Sequence, residues 1–257
     1  MKHFLPIFFL LSIALYANGT EDLYTYGRTK ADRLYQLKTR EKYVVITIDD
    51  GPSIHTGDIL SVLKKNRVKA NFFLVGSEIE SYPHMVKRIA DGGHEIGNHS
   101  YTHGTFKDMT LEDIYNDEIL AFNDLLKKNG GIPTSLVRPP YGYATPKQVE
   151  FLRERGYHII NWSLDTFDWR DPWEDSLKRV QRYHQKGGIL LLHSNKKSVY
   201  LLPEIIRDLS ERGYTFVTLG QFLRDKGHPP QAPAREASSL WERRREFLKG
   251  SIKKEEL

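Results

Sequence analysis

The sequence predicts an α/β fold in which about seven parallel strands, covered by helices, close into a barrel and form a single domain. Three observations carry this expectation. From Tyr43 onward, short runs rich in β-branched residues alternate with amphipathic stretches, the order of repeated β-α units. Some runs are apolar almost throughout, as in GGILLLH ending at His193, and such strands are buried on both faces. The length, 257 residues, suits one α/β barrel with short appendages.

The elements follow in order. MKHFLPIFFLLSIALYANG opens with a basic residue, runs apolar from Phe4 to Ala17 and ends in small residues. A run of about 14 residues is short for a membrane span and fits a secretory signal over 1–19, cleaved after Ala17 or Gly19. An uncleaved anchor is the alternative. Either outcome exports the protein, so a secreted or periplasmic location is expected, without a stable membrane span once the signal is removed. Residues 20–42 form an N-terminal extension, and the main domain is expected over 43–226.

Strands are expected at Tyr43–Asp49, Ala70–Val75, His94–Asn98, Ser135–Pro139, His158–Asp165, Ile189–His193 and Thr215–Leu219. Helical patterns lie between them. In VYLLPEIIRDLSERG, Val199, Leu202, Ile205, Ile206 and Leu209 share one face and Gly213 supplies a stop. After Leu223 the pattern ends, and 227–257 reads as a Pro-rich linker and a short charged helix. The helix has a thin apolar stripe of Leu240, Trp241, Phe247 and Leu248, suited to docking on the barrel or to an anionic surface. The final KEEL resembles an endoplasmic-reticulum retention signal only loosely and is set aside.

Composition excludes some functions. The formal charge is +5, but Lys2 and a tail with seven basic against five acidic residues leave about +2 for the body, too little for a nucleic-acid footprint. There is no cysteine, hence no disulfide framework and no cysteine for lipid attachment.

The chemistry gathers at the ends of the expected strands. VVITIDDGP brings an apolar strand straight into two adjacent acids, Asp49 and Asp50. Neighbouring carboxylates there repel each other and lose hydration, a cost that a purely structural role does not explain. Adjacent strand residues point to opposite sides, so the Gly51-Pro52 turn is expected to break the alternation if both acids serve one site. GHEIGNHSYTH sets His99 and His103 four residues apart, a spacing at which two imidazoles can share an ion. LVRPPYG ends a strand with Arg138 and leads to Tyr141, WSLDTFDW offers Asp165, Asp168 and Trp169, and GGILLLHS ends in His193. Each has a bland alternative: an ordinary Arg138–Asp165 ion pair, Trp169 as core filler, His193 as a satisfied buried imidazole. Five strand ends that turn polar on the same barrel face make those alternatives hard to hold together. Of the other seven histidines, only His55 follows a motif closely enough to reach a substrate.

TIDDGP, HSYTH, RPPYG, DTFDW and LLLH, in this order from about Tyr43 to Leu223, resemble the five motifs of the polysaccharide deacetylases of carbohydrate esterase family 4. The resemblance implies a distorted β/α barrel and a metal-dependent deacetylase. It implies Asp49 as general base, Asp50, His99 and His103 as metal ligands, Arg138 as the group that orients Asp49, and Asp165 as the tether of Arg138. The backbone N–H of Tyr141 would face the developing oxyanion and His193 would be the general acid. Leu191 and Trp169 would line the acetyl pocket and groove. Ile48, where the family usually has phenylalanine, is the one departure.

Elementary chemistry agrees with that division. Hydrolysis of an N-acetyl group needs an activated water, a stabilised oxyanion and a proton for the departing amine. An Asp-His-His set suits a divalent transition metal, zinc first, with cobalt and nickel as alternatives. The expected substrate is the N-acetylglucosamine of peptidoglycan, because an exported protein of one compact domain meets the wall first. Poly-N-acetylglucosamine, chitooligosaccharides, O-acetylated xylan, or glycan binding without catalysis are the alternatives.

Overall fold

The computed structural model describes residues 33–225. The expected signal at 1–19, residues 20–32 of the extension, the end of the domain at Lys226 and the tail at 227–257 lie outside them.

The strands are β1 (Arg33–Leu34), β2 (Tyr43–Gly51), β3 (Asn71–Leu74), β4 (Glu95–Asn98), β5 (Leu136–Val137), β6 (His158–Ile160), β7 (Leu164–Asp165), β8 (Gly188–His193) and β9 (Thr215–Phe216). They form one parallel sheet in the order β1-β6-β5-β4-β3-β2-β8-β7, with β9 also paired to β2. The sheet curls. β6 and β7 lie near or at opposite edges of that order, yet only Asn161, Trp162 and Ser163 separate them, a span of roughly 14 Å at most. An isolated bridge from Gln36 to Gly188 ties the β1 end to β8. The result is an incompletely closed barrel.

Two differences from the sequence expectation follow from this curl. The run His158–Asp165 divides into β6 and β7, because a chain that crosses from one edge to the other cannot stay in a single ladder. The sheet also begins at Arg33, before the expected start at Tyr43. Leu34 and Leu37 are buried in the interior cluster, and Arg33 donates to the carbonyls of Gly142 and Ala144.

Nine helices run α1 (Thr56–Asn66), α2 (Gly76–Ser81), α3 (Pro83–Asp91), α4 (Leu111–Asp113), α5 (Ala121–Lys128), α6 (Pro146–Glu154), α7 (Trp173–Tyr183), α8 (Lys196–Glu211) and α9 (Leu219–Asp225) among the described residues. A π-helical segment, Ile114–Leu120, joins α4 to α5. Local sequence sets several ends. A Thr145–Gln148 capping box with Pro146 at the first turn starts α6, and Asn195 caps α8 by accepting from the Ser198 N–H.

Alternation along the strands sorts the core into two layers. Val44, Ile46 and Ile48 of β2 face outward onto Leu63 of α1 and Leu202 and Ile205 of α8. Val45 of β2 and Ile189 of β8 face inward, against Phe73, Leu136 and Ile160, with Leu219, Phe222 and Leu223 of α9 closing that end. Each such fully buried side chain contributes about 1.5–3 kcal/mol. Further along the same inward files, Val45 gives way to Thr47 and Asp49, and Ile189 to Leu191 and His193. The barrel is therefore apolar at the amino ends of its strands and polar at their carboxyl ends.

Candidate active site

Asp49 and His193 end the two inward files and are Cα partners in the β2–β8 ladder. Neighbouring strands lie about 4.8 Å apart, so the carboxylate and the imidazole share one patch of the barrel mouth. The break in alternation that brings Asp50 to the same patch occurs at Asp50 itself, one residue before the Gly51-Pro52 turn. Its φ is 63°, and the β2–β3 register shifts between Asp49 and Gly51. A left-handed aspartate within a strand is a bulge that re-aims a side chain.

Asp50, His99 and His103 offer three donor atoms within 4.8 Å of one another. His99 Nδ1 lies 2.7 Å from the Arg138 carbonyl, which accepts only from an N–H, so the lone pair of His99 is at Nε2. That Nε2 stands 3.4 Å from Asp50 Oδ1, and His103 Nε2 stands 3.1 Å from the same oxygen. Asp50 Oδ1 is buried and makes no hydrogen bond. A buried oxygen facing imidazole lone pairs is stable only with a positive charge among them, and the donor set fits a divalent cation. Contact with Asp50 pushes the His103 imidazole up against the opposing effect of burial. Burial pushes the Asp50 carboxyl up, but His103 and His99 outweigh it and hold the group well below the usual carboxylate range.

Arg138 lies behind this cluster, fully buried. Its Nη1 donates to Asp49 Oδ1 at 2.6 Å and to Thr47 Oγ1 at 2.8 Å, its Nη2 to the Asn161 carbonyl at 2.9 Å, and its Nε to the Ile160 carbonyl at 3.3 Å. The guanidinium lies 4.2 Å from the Phe73 ring centroid. Gly97, the register partner of Phe73, makes room for that ring, since a Cβ there would fall 2.4 Å from it. Burial draws the guanidinium below its ordinary pKa while Asp49 works in the other direction. One residue thus fixes the base candidate through its side chain and a ligand candidate through its carbonyl.

Asp165 does not tether Arg138, contrary to expectation. The guanidinium spends its bonds on Asp49, Thr47 and two carbonyls, and Asp165 Oδ1 instead accepts from the Phe167 N–H at 2.7 Å. The acid that holds a partner in this motif is Asp168. It is fully buried, with Oδ1 2.8 Å from His193 Nδ1 and Oδ2 accepting the His193 backbone N–H at 2.8 Å. Asn195 Nδ2, at 3.1 Å, and the Ser198 hydroxyl also donate to Oδ2. Burial pulls the His193 imidazolium down, but the bond to Asp168 and the charges of Asp168, Asp49 and Asp50 outweigh it, and its pKa is pushed up to about 9. Burial acts to raise the Asp168 carboxyl, but the hydrogen bonds and charge of His193 and the bond from Ser198 outweigh it and lower it.

An open cavity of about 470 Å³ gathers nine of the ten residues to which the family resemblance gives a role, with Arg138 beneath its floor. Tyr141 sits on its rim at φ 58°, its ring 5.0 Å from that of His103. Leu191 and Trp169 line it, and so does Trp162, which the sequence reading missed. His55 stands before α1 and does not line it. Thr47 and Asp168 were likewise unassigned. Thr47 shared the inward file with Asp49, a period-two signal that was available, whereas nothing local separates Asp168 from Asp165.

A family model described as polysaccharide deacetylase matches residues 36–160. A peptidoglycan-N-acetylglucosamine deacetylase of Bacillus cereus is 38% identical over 183 residues, covering 68% of this chain and 66% of that protein. The chain thus spans just under two thirds of that relative. The peptidoglycan-N-acetylmuramic acid deacetylase PdaA of Bacillus subtilis is 32% identical, covering 77% of each. The crystal structure of the Bc1960 peptidoglycan N-acetylglucosamine deacetylase superimposes with a TM-score of 0.73 at 31% identity, covering 79% of this chain and 95% of that one.

Proposed function

The chain belongs to the polysaccharide deacetylase family, and on that premise we propose that it hydrolyses N-acetyl groups from amino sugars of a cell-envelope glycan, with peptidoglycan N-acetylglucosamine as substrate. The observation that carries this reading is the pairing of Asp49 with His193 across β2 and β8, beside Asp50, His99 and His103 in one cavity. A base candidate and an acid candidate flank a cation site, which is what amide hydrolysis requires.

A divalent ion held by Asp50, His99 and His103, zinc first among the candidates, supplies Lewis acidity towards the amide carbonyl and the attacking water. Arg138 occupies Asp49 Oδ1 and leaves Oδ2, 3.6 Å from His99 Nε2, to accept the water proton. The water oxygen bonds to the acetyl carbon, and the Tyr141 N–H donates to the oxygen that becomes negative. Asp168 takes the Nδ1–H of His193, so the transferable proton is on Nε2. As the C–N bond breaks, that proton goes to the nitrogen, giving acetate and a free amine. Leu191, Trp162 and Trp169 form the apolar wall that receives the acetyl methyl and a sugar face.

The names of the relatives support a wall glycan, and the apolar run at Phe4–Ala17 supports export to it. Purified protein loaded with zinc is expected to release acetate from muropeptides, with one acetyl mass lost per modified sugar by mass spectrometry. PdaA makes N-acetylmuramic acid the second reading, and digestion to single sugars tells which one carries the amine. Faster turnover of poly-N-acetylglucosamine or chitooligosaccharides would move the substrate away from the wall. Intact acetyl groups on every glycan would leave glycan binding without catalysis.

A further inference from the structure

Between His99 and His103 the chain follows no ladder. Ser100 and His103 both have left-handed φ, 70° and 60°, a conformation unfavourable for residues other than glycine. The Ser100 and Tyr101 carbonyls accept from the Gly76 and Ser77 N–H groups, and the segment's own N–H groups are held by a run of side-chain acceptors. The five consecutive N–H groups from Ser100 to Gly104 are each taken by a side-chain oxygen. Asn98 Oδ1 accepts from Ser100 at 2.7 Å, Ser100 Oγ from His103 at 2.9 Å, and Thr102 Oγ1 from Gly104 at 3.1 Å. The middle two, Tyr101 and Thr102, both donate to Glu118 Oε2, at 2.7 and 2.9 Å.

Glu118 lies far from the motifs in sequence and is buried at 4% exposure. Its other oxygen, Oε1, accepts the Thr102 hydroxyl at 2.8 Å, so all three of its hydrogen bonds go to this one loop. A buried carboxylate is tolerated only when its oxygens are satisfied, and here two adjacent peptide N–H groups and a hydroxyl satisfy them. The residue projects from the π-helical segment Ile114–Leu120, whose Ile119 carbonyl also accepts from Asn98 Nδ2 at 3.2 Å. A single turn of π-helix inside an α-helical run is a local irregularity that recurs at functional sites. In this protein, the hydrogen bonds of Glu118 and of the Ile119 carbonyl both converge on the segment that carries His99 and His103.

We infer that Glu118 is a positioning residue for the cation site. By clamping the Tyr101 and Thr102 peptides it fixes the loop in the left-handed form that brings His103 Nε2 to Asp50. The inference rests on the reading of Asp50, His99 and His103 as ligands.

The test is a cobalt(II) titration of the metal-stripped full-length protein, followed by visible absorption and by the melting temperature of the metal-free form. Glu118→Gln keeps the shape but replaces the charged acceptor with a neutral amide, and the Thr102 hydroxyl must turn from donor to acceptor to meet its nitrogen, so the charge-assisted hold on the two peptides is weakened. It is expected to weaken cobalt binding by about 10- to 100-fold and to alter the visible spectrum, with the metal-free melting temperature near that of wild type. Thr102→Val keeps both backbone bonds to Glu118 and is expected to lose less affinity. Cobalt affinity within about twofold of wild type and an unchanged spectrum in Glu118→Gln would overturn the inference, as would a loss that merely tracks a fall in metal-free stability. If Asp50→Asn and wild type take up cobalt equally, the ligand reading itself fails, and the role of Glu118 falls with it.

Discussion

Asp49 and His193 face the same cavity from adjacent strands, yet the structure secures them by different routes. Asp49 is held through the barrel interior, by a guanidinium that reaches in from the end of β5 and is bonded to three other groups on the way. His193 is held from the rim, by an aspartate three residues beyond β7 that is fixed by Asn195 and Ser198 at the start of α8. The holding charges are opposite, cation for the base and anion for the acid. The base half is thus tied to the barrel core, whereas the acid half belongs to a smaller network at its mouth. Substitutions in the first half should disturb stability and activity together, and those in the second should disturb activity and its pH dependence.

The largest effect is expected at the base. Asp49→Asn removes the proton acceptor and leaves Asp50, His99 and His103 untouched. Turnover should fall about 100- to 10,000-fold with metal stoichiometry unchanged, and added metal should not restore it. Asp50→Asn should instead lose metal, with partial recovery at high metal concentration. If both variants lost metal equally, the separation of base from ligand within TIDDGP would be wrong.

Arg138→Lys comes next and tests whether the base half is coupled to the core. An ammonium cannot reach Asp49, Thr47 and the two carbonyls at once, so Asp49 is left loosely placed. Turnover should drop on the order of 100-fold, and urea unfolding should show a stability loss on the order of 3 kcal/mol. A variant with unchanged urea midpoint and reduced turnover would place Arg138 with the rim and dissolve the contrast.

The contrast also explains what the sequence disclosed. Asp49 and Asp50 stood out because they interrupt an apolar strand, and His99, Arg138 and His193 because they end strands of recognisable length. Asp165 and Asp168 are a harder case, since both lie near the end of the same run. The resemblance implies Asp165 as the tether of Arg138, but β7 is only two residues long, and Phe167 at φ 57° turns the chain so that Asp168 returns beneath His193. Such a turn has no period to detect. The same holds for β1, a two-residue strand, and for the π-helical turn that carries Glu118, whose sequence reads as ordinary helix.

A smaller effect is expected from the acid's partner. With Asp168 in place the His193 pKa is pushed up to about 9, so the imidazolium persists through neutral pH. Asp168→Asn removes the stabilising charge, and the pKa must fall. Because the acid works in its protonated form, the alkaline limb of kcat/KM should move to lower pH, with a loss of about 10- to 100-fold near neutrality. Linkage has the same sign. The raised pKa stabilises the fold fully below the ordinary 6.5, and that contribution fades as pH rises through about 9, so wild type should lose its advantage over Asp168→Asn across that window. Coincident alkaline limbs in the two proteins would show that Asp168 does not control the acid.

The smallest expected effect separates the two tryptophans of the cavity wall. Trp162 belongs to the base half: its ring centroid lies 5.6 Å from the Arg138 guanidinium, and a Cβ on Gly142 would meet its edge at 2.6 Å. Trp169 belongs to the rim, 55% exposed, with Phe167 and Arg170 against its ring and Asp165 bonded to its side chain. An exposed indole beside a cavity can stack on a sugar face equally before and during the reaction, which is uniform binding and acts on KM alone. Trp169→Ala should therefore raise KM about 3- to 10-fold, at unchanged kcat and melting temperature. Trp162→Ala removes packing from the cation that holds the base, and should lower kcat and the melting temperature together. If Trp169→Ala lowered kcat at constant KM, that indole would act on the transition state, and the rim would no longer be the separable half.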